Sequence, residues 1–252
     1  MRHNIGIDIG STASKVVVMN EAKDQVLAKR MIPSGWNMRE TSENIREWLD
    51  ERGYMVDATV VGTGYGRISV PFADRTVTEI TCHARGAEFL SGHTLNIIDI
   101  GGQDTKFILL KNGIVSDFLM NDKCAAGTGR FVEVMANRLG LTLQEMFSYA
   151  DAGSEDLTLS SVCTVFAESE VISLMGKGTD KKDIAAAVIN SITAKVAGLV
   201  KRKQTFGDYF LTGGFAGNPL ILRKLKERLD ADVLSDEDGR FAGAIGAARE
   251  AR

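Results

Sequence analysis

Two eight-residue segments share one pattern, and this repeat limits the possible folds more than any other feature of the chain. They read Asp8-Ile-Gly-Ser-Thr-Ala-Ser-Lys15 and Asp99-Ile-Gly-Gly-Gln-Asp-Thr-Lys106. The two copies lie 91 residues apart, and each is followed by a predicted β-hairpin. A period of this length is too long for a solenoid repeat. The duplication therefore predicts an α/β fold of two similar lobes that face each other.

Each repeat places a polar turn directly after a predicted buried strand, Ile5–Gly10 in the first copy and Asn96–Gly101 in the second. Backbone N–H groups in such turns can bind phosphate oxygens. A carboxylate repels phosphate, but it can hold Mg²⁺ or the water shell of the ion. Asp-x-Gly occurs in many buried turns, so the argument depends on the two matched copies, which could clamp a triphosphate from both sides.

A third glycine-rich turn, Thr212-Gly-Gly-Phe-Ala-Gly-Asn218, follows the predicted strand Asp208–Thr212. Paired glycines let a flat adenine ring approach the backbone closely, although a tight strand–helix turn has the same composition. Asn218 is predicted to cap the next helix, with Pro219 at its first position. The chain has no Gly-x-x-x-x-Gly-Lys-[Ser/Thr] segment, which excludes a P-loop.

Helix signals indicate the remaining organisation. We expect one helix capped by Thr41 or Ser42, a capping box at Thr142–Glu145, and a long helix from Thr179 to Lys203. The last predicted helix, residues 241–252, is rich in alanine and glycine. The expected domains are a first lobe at 1–94, a second lobe at 95–240, and a C-terminal helix that packs back on the first lobe.

The three cysteines differ in their surroundings. Cys82 lies among small residues in a predicted helix, as a buried structural thiol does. Cys124 and Cys163 each come just before a predicted helix, and a helix N-terminus lowers the pKa of a thiol. From the residues alone, free structural cysteines are an equal alternative. The chain contains no Cys-x-x-Cys pair, so the sequence does not indicate a zinc or ferredoxin site within one chain.

Composition excludes several classes of function. The net charge is −3, so we expect no nucleic-acid or anionic-membrane partner. We also expect no membrane span and no signal peptide, because no apolar run approaches ~18 residues and a strand begins at once. Three cysteines without a targeting signal favour a reducing cytoplasm.

Taken together, the three turns resemble the nucleotide-binding motifs of the acetate kinase, sugar kinase, Hsp70 and actin (ASKHA) superfamily. The resemblance covers the whole chain. Asp8–Lys15 matches its first phosphate motif, Asp99–Lys106 its second, and Thr212–Asn218 its adenosine motif. The small residues of Ala242-Gly-Ala-Ile-Gly-Ala resemble its second connecting helix, where two helices pack closely.

Longer motifs resemble a narrower group, the activators of 2-hydroxyacyl-CoA dehydratases, which form the BadF/BadG/BcrA/BcrD ATPase family. The matching segments are Asn121-Asp-Lys-Cys-Ala-Ala-Gly-Thr-Gly-Arg-Phe131, Cys163-Thr-Val-Phe-Ala-Glu-Ser-Glu-Val-Ile172, Thr63–Arg67 and Lys177–Asp180. This resemblance implies a homodimer with one bridging [4Fe–4S] cluster. The homodimer would hydrolyse ATP to transfer one electron to a partner iron–sulfur dehydratase. A ferredoxin or flavodoxin is the implied electron source.

The resemblance also implies site residues. Asp8 and Asp99 would organise Mg²⁺ and water, and Gln103 could orient the attacking water. Cys124 and Cys163 would ligate the cluster, whose charge the helix N-termini would stabilise without any lysine. The remaining residues are assigned to ATP or ADP: Gly10, Ser11, Thr12, Ala13, Ser14, Lys15, Gly101, Gly102, Gln103, Asp104, Lys106, Gly127, Gly129, Gly213, Gly214, Ala216 and Asn218.

Two other classes of function stay open at this point. A small-molecule kinase of the same fold would bind a sugar or acid and no iron. A nucleotide-switched binding protein would bind ATP without hydrolysing it. Within the main hypothesis the partner is open between a 2-hydroxyacyl-CoA dehydratase, a benzoyl-CoA-reductase-like enzyme and a double-cubane-cluster protein.

Overall fold

The computed structural model describes residues 2–160, 163–203, 205 and 207–252. It contains two five-stranded sheets. The first has the strand order β3-β2-β1-β4-β5 and the second the order β10-β9-β6-β7-β8. The strands are β1 (His3–Ile9), β2 (Ala13–Met19), β3 (Val26–Pro33), β4 (Ala58–Thr63), β5 (Arg75–Thr76), β6 (Asn96–Ile100), β7 (Thr105–Lys111), β8 (Ile114–Asn121), β9 (Tyr209–Gly213) and β10 (Val233–Ser235).

The second sheet repeats the first when its order is read from β8 to β10. In both sheets the strand that carries the repeat aspartate is central, with its hairpin on one side and the next strand along the chain on the other. This order confirms the duplication inferred from the two aspartate segments.

The first sheet is buried on both faces, which explains the nearly continuous apolar run in β1. On one face, Ile5 and Ile7 pack with Ile45 and Leu49 of helix α1 (Met38–Glu51). On the other, Val17 packs with residues of helix α8 (Ala242–Arg249). Burying an apolar side chain of this size stabilises the fold by about 1.5–3 kcal/mol.

Helix α2 (Glu79–Ser91) packs closely on α8 through glycines, as the small residues of the C-terminal segment predicted. A Cβ atom at Gly246 would lie 1.8 Å from the carbonyl oxygen of Cys82, and one at Gly86 would lie 1.9 Å from that of Ala242. Any side chain at either position would force the two helices apart.

The second half of the chain is mainly helical. Its helices are α3 (Gly129–Leu139), α4 (Leu143–Asp151), α5 (Thr164–Gly176), α6 (Lys181–Val200) and α7 (Pro219–Leu229). The capping box of Thr142 and Glu145 and the cap by Asn218 with Pro219 at the first position are confirmed. Residues 161 and 162 of the expected lead-in to Cys163 lie outside the described residues.

Helix α6 is the only helix among the described residues that is long and apolar enough to cross a membrane. Of its most apolar window, 67% is buried inside the protein. It packs against α3, α4 and α7, and its residues Ile184, Val188, Ile192 and Val196 are buried. These are the surroundings of a core helix.

Two expected helix starts are wrong. Asn37, not Thr41 or Ser42, caps α1, because its Oδ1 accepts hydrogen bonds from the N–H groups of Arg39 and Glu40. The Thr41 hydroxyl instead donates to the Ser34 carbonyl at 2.7 Å. Asp180, not Thr179, caps α6 by accepting from the N–H of Lys182.

The chain forms two compact units, one comprising residues 1–97, 108–118 and 235–252 and the other residues 98–107 and 119–234. The lobes expected from the sequence differ from these units mainly at residues 108–118 of the β7–β8 hairpin, which belong to the first unit. Within that unit, a Cβ on Gly113 would lie 3.3 Å from Glu88 Oε1.

Candidate functional site

The first aspartate turn joins β1 to β2, and Ser34 stabilises it through hydrogen bonds. The Ser34 hydroxyl donates to the Gly10 carbonyl at 2.6 Å, and its N–H donates to the Thr12 carbonyl at 3.0 Å. Ser14, assigned to phosphate from the sequence, is fully buried and its hydroxyl lies 2.8 Å from that of Ser34. Thr12 at the tip of the turn is exposed, with Gly10, Ser11, Ala13 and Lys15 partly exposed around it.

Asp8 lies at the base of this turn and is 3% exposed. Its Oδ2 lies 3.6 Å from Lys15 Nζ, because the hairpin register places the two residues opposite each other. Its Oδ1 is buried and has no hydrogen-bond partner among the residues the structure describes. A buried acceptor left without a partner costs about 1–3 kcal/mol, more when charged.

Two glycines leave room around this carboxylate. A Cβ at Gly64, whose φ is +86°, would lie 2.4 Å from Asp8 Oδ1, and one at Gly243 would lie 2.8 Å from Asp8 Oδ2. Neither position could carry a side chain without displacing Asp8. A carboxylate oxygen with an unsatisfied lone pair, flanked by two glycines, fits Mg²⁺ or a water molecule of its shell.

The second aspartate turn contains a buried ion pair. Asp99 is 1% exposed; its Oδ2 lies 3.4 Å from Lys106 Nζ, and its Oδ1 accepts a hydrogen bond of 2.9 Å from the Thr212 hydroxyl. Lys106 Nζ also lies 2.8 Å from Asp104 Oδ1. Lys106, which was assigned to ATP from the sequence, thus points toward two carboxylates. Gln103 in the same turn is exposed.

The third turn follows β9 and approaches the second one closely. Gly213 has φ +89°, and a Cβ there would lie 2.3 Å from the Ile100 carbonyl oxygen and 2.9 Å from Asp99 Oδ1. Gly214 donates its N–H to the same carbonyl at 3.0 Å. Gly214 is exposed and Ala216 is buried, while the Asn218 side chain caps α7. The glycine pair therefore brings the ends of β6 and β9 together.

The thiol of Cys124 is exposed at the start of a loop that side chains hold in place. The Asn121 side chain makes two hydrogen bonds to the backbone of this residue. Its Nδ2 donates to the Cys124 carbonyl at 2.8 Å, and its Oδ1 accepts from the Cys124 N–H at 3.2 Å. The expected helix directly after Cys124 is only a three-residue 3-10 turn, Ala125–Gly127, and α3 begins later, at Gly129. The α3 N-terminus therefore does not act directly on this thiol.

The other two cysteines have the environments that the sequence predicts. Cys163 is exposed and occupies the N-cap position of α5. Cys82 is buried in α2, and burial raises the pKa of its thiol to about 12, while a side-chain hydrogen bond with Thr63 lowers it in part. Cys124 and Cys163 are therefore accessible to a metal, whereas Cys82 is enclosed in the protein.

Three hydrogen bonds connect the second aspartate turn to the Cys124 loop. The carbonyls of Gly101 and Gly102 accept from the N–H groups of Gly129 and Arg130 at 2.9 and 2.8 Å. The Thr105 hydroxyl donates to the Gly127 carbonyl at 2.6 Å. Gly127 and Gly129, assigned to the nucleotide from the sequence, thus bind the second aspartate turn through their backbones.

A cavity of about 270 Å³ opens beside Cys124 within the second unit. Its lining includes Asn121 and the basic side chains Lys195 and Arg202. Neither Thr105 nor Lys195 was among the site residues predicted from the sequence. A signal for Lys195 was present, since it is the only charged residue between Ile184 and Val200.

Comparisons with known proteins agree with these features. The model of the BadF/BadG/BcrA/BcrD ATPase family matches residues 5–251. The chain is 41% identical to the (R)-2-hydroxyglutaryl-CoA dehydratase activating ATPase of Acidaminococcus fermentans, over 98% of this chain and 95% of that protein. It is 31% identical to one of the subunits of benzoyl-CoA reductase from Thauera aromatica, over 96% and 90% of the two chains.

Solved structures give the same result. The crystal structure of (R)-2-hydroxyglutaryl-CoA dehydratase component A from Acidaminococcus fermentans matches with a TM-score of 0.93 and 40% identity, covering 100% of this chain and 98% of that one. The ADPNP-bound activator of 2-hydroxyisocaproyl-CoA dehydratase from Clostridium difficile matches with a TM-score of 0.91 and 39% identity, covering 99% and 94%.

A more distant match concerns the fold alone. A glucokinase of the ROK family from Streptomyces griseus has a TM-score of 0.62 at 16% identity, covering 99% of each chain. The α/β fold shared with actin, Hsp70 and sugar kinases is therefore confirmed. On the family model, the sequence identities and the structural matches, this chain belongs to the BadF/BadG/BcrA/BcrD ATPase family.

Proposed function

We propose that this chain is an ATP-dependent one-electron donor. It hydrolyses ATP and delivers a low-potential electron from a [4Fe–4S] cluster, held by Cys124 and Cys163 of two identical chains, to a partner iron–sulfur enzyme. The observation that carries the proposal is the set of three hydrogen bonds between the second aspartate turn and the Cys124 loop. A nucleotide that displaces this turn also displaces the backbone that positions a ligand thiol.

The nucleotide end of the site rests on Asp8. Its partnerless Oδ1 would hold Mg²⁺ or a water molecule of the ion, and Lys15 would offset the negative charge next to it. The tip residues Ser11 and Thr12 would present backbone N–H groups to phosphate. Gln103, exposed in the second turn, is the candidate to orient the attacking water, as a glutamine amide does in other NTPases.

The redox end of the site rests on the two exposed thiols. A [4Fe–4S] cluster takes four thiolates and supplies one-electron chemistry when bound. One chain offers two exposed cysteines, and the third, Cys82, is buried. A twofold axis between two chains supplies the missing pair, since each chain presents the same residues to its mate.

The exposed side of α5 supports a pairing of two chains. Val165, Phe166, Ile172 and Met175 are all exposed on this helix, which begins directly after Cys163. Apolar side chains grouped in this way commonly mark protein interfaces. A second copy that shares a cluster at Cys163 would approach along this helix.

The partner class follows from the relatives. Their names join this family to 2-hydroxyacyl-CoA dehydratases and, in one case, to benzoyl-CoA reductase. An iron–sulfur dehydratase is the proposed electron acceptor, and a related reductase is the alternative. A reduced ferredoxin or flavodoxin in the cytoplasm would supply the electron.

Iron analysis of protein purified without oxygen tests the redox proposal. We expect about four irons per dimer in the wild type and in Cys82→Ser, and loss of iron in Cys124→Ser and Cys163→Ser. Four irons in each monomer, or iron retained in either of the last two variants, would contradict it. The rate of Mg²⁺-ATP hydrolysis, measured in the same samples, shows whether the ATPase activity depends on the cluster.

A further inference from the structure

The redox end of the site has a basic residue that the ligand motifs do not include. We propose that Lys195 supplies a positive charge that favours the reduced form of the cluster held by Cys124 and Cys163. This inference rests on the proposed function, because it concerns the potential of that cluster. It adds a lysine to the helix N-termini that were expected to stabilise the cluster.

The position of Lys195 is set by the packing of α6 against the Cys124 loop. Lys195 and Cys124 line the same cavity. The Cβ of Lys195 lies 3.7 Å from where a Cβ on Gly127 would be, so α6 approaches this loop closely at Lys195. Its Nζ lies 5.3 Å from the centre of the Phe131 ring in α3, an attractive geometry for a cation.

Lys195 is also within electrostatic reach of both proposed ligand residues. Desolvation lowers the pKa of this lysine, and negative charge at Cys124 and at Cys163 acts in the opposite direction. A partly desolvated charge interacts more strongly with its neighbours than one in bulk water, because the local dielectric constant is lower. Lys195 is therefore placed so that its charge favours negative charge at both cysteines.

The effect on the redox step follows from charge balance. A reduced ferredoxin or flavodoxin loses one electron, the cluster gains it, and the negative charge of the cluster increases by one. No bond is made or broken and no proton is required. A nearby cation stabilises the more negative form and so raises the reduction potential. Removing the charge of Lys195 should make the cluster harder to reduce.

Four proteins test this assignment. Lys195→Met keeps an unbranched apolar stem without the charge, and Lys195→Arg keeps the charge. Lys182→Met is the matched control, since Lys182 is exposed on the same helix about 20 Å away at 1.5 Å per residue. Each is prepared without oxygen as the homodimer beside the wild type, and iron content, thermal unfolding and the midpoint potential from a titration followed by electron paramagnetic resonance are measured.

We expect a more negative midpoint potential in Lys195→Met, with a roughly tenfold smaller equilibrium constant for reduction, equivalent to about 59 mV for one electron. Lys195→Arg and Lys182→Met should match the wild type. If Lys195→Met loses iron while unfolding at an unchanged temperature and Lys195→Arg keeps it, the charge is needed to hold the cluster, which also supports the assignment. Lys195→Gln serves as a second neutral variant if Lys195→Met does not fold.

Other results overturn the inference. A midpoint potential equal to that of the wild type in Lys195→Met, or in Lys195→Gln where Lys195→Met does not fold, removes Lys195 from the redox site and leaves the proposed function intact. An equal shift in Lys182→Met does the same. A wild-type protein without iron contradicts the proposed function itself, and Lys195 then has no cluster to act on.

Discussion

The two aspartates of the repeat carry the same ion pair but have different surroundings. Asp8 lies 3.6 Å from Lys15 and has one buried oxygen without a partner among the described residues. Asp99 lies 3.4 Å from Lys106 and has its other oxygen hydrogen-bonded to Thr212. Asp8 therefore has an oxygen that can accept a cation, whereas both oxygens of Asp99 are engaged.

This difference gives a prediction for Asp8. Asp8→Asn removes the negative charge and one acceptor facing the proposed Mg²⁺, so we expect the affinity for Mg²⁺-ATP to fall by about tenfold or more. Calorimetric titration measures this affinity. Asp24→Asn, an exposed aspartate in the turn after β2, should bind normally. Equal affinities in the two variants would argue against a cation at Asp8.

Asp99 gives a prediction about stability. Asp99→Asn leaves Lys106, which is 2% exposed, without its carboxylate partner on β6. Breaking a buried ion pair from one side costs about 3–5 kcal/mol, so the free energy of unfolding should decrease by that order. Urea denaturation measures the free energy of unfolding of Asp99→Asn, and Asp8→Asn is measured beside it for comparison. A loss below about 1 kcal/mol would show that Asp104 alone is sufficient for Lys106.

Residues that are near in sequence were the ones that sequence analysis could place. A seven-residue spacing across a tight hairpin puts Asp8 opposite Lys15, and this pairing is local. Lys195 and Cys124 are brought together only by the packing of α6 on the Cys124 loop, and no pattern within either segment encodes that contact. The cap of α1 was missed because Asn37 follows the irregular Ser34–Trp36 segment, while Thr41 and Ser42 looked equally suitable.

At the scale of elements, the main connection is between the turn after β6 and the loop before α3. Two of its hydrogen bonds use backbone groups and only the third uses a side chain, that of Thr105. This hydroxyl is buried, and its acceptor belongs to the short turn that follows Cys124. A point mutation can therefore weaken the connection without removing any proposed ligand.

Thr105→Val tests this connection. The variant keeps the shape of the side chain but leaves the Gly127 carbonyl without its donor, at a cost of about 1–3 kcal/mol. In the wild type we expect Mg²⁺-ATP to change the rate at which a chelator removes iron from the cluster. In Thr105→Val that change should be smaller, while Thr105→Ser, which keeps the hydroxyl, should behave like the wild type. An undiminished response to ATP in Thr105→Val would contradict the connection.

At the scale of the whole molecule, the duplicated strand order and the proposed assembly have different origins in the sequence. The matched orders of the two sheets follow from a repeat that is visible in the chain itself. The assembly does not follow from a visible repeat. Apolar residues occur on all sides of α5, so from the sequence alone its exposed residues cannot be told from core residues. The structure was needed to show that Val165, Phe166 and Ile172 are on the surface.

These residues yield the prediction about oligomeric state. If two chains meet along α5, Phe166→Asp should weaken the dimer, because a carboxylate would be desolvated in an apolar contact. Ile114→Asp is a matched control, since Phe166 and Ile114 are both 68% exposed, and Ile114 belongs to β8 and not to α5. Sedimentation velocity without oxygen should show dimers for the wild type and Ile114→Asp, and monomers with little iron for Phe166→Asp. A dimer that survives in Phe166→Asp with its iron would place the contact elsewhere, and a monomeric wild type with four irons would remove the shared cluster altogether.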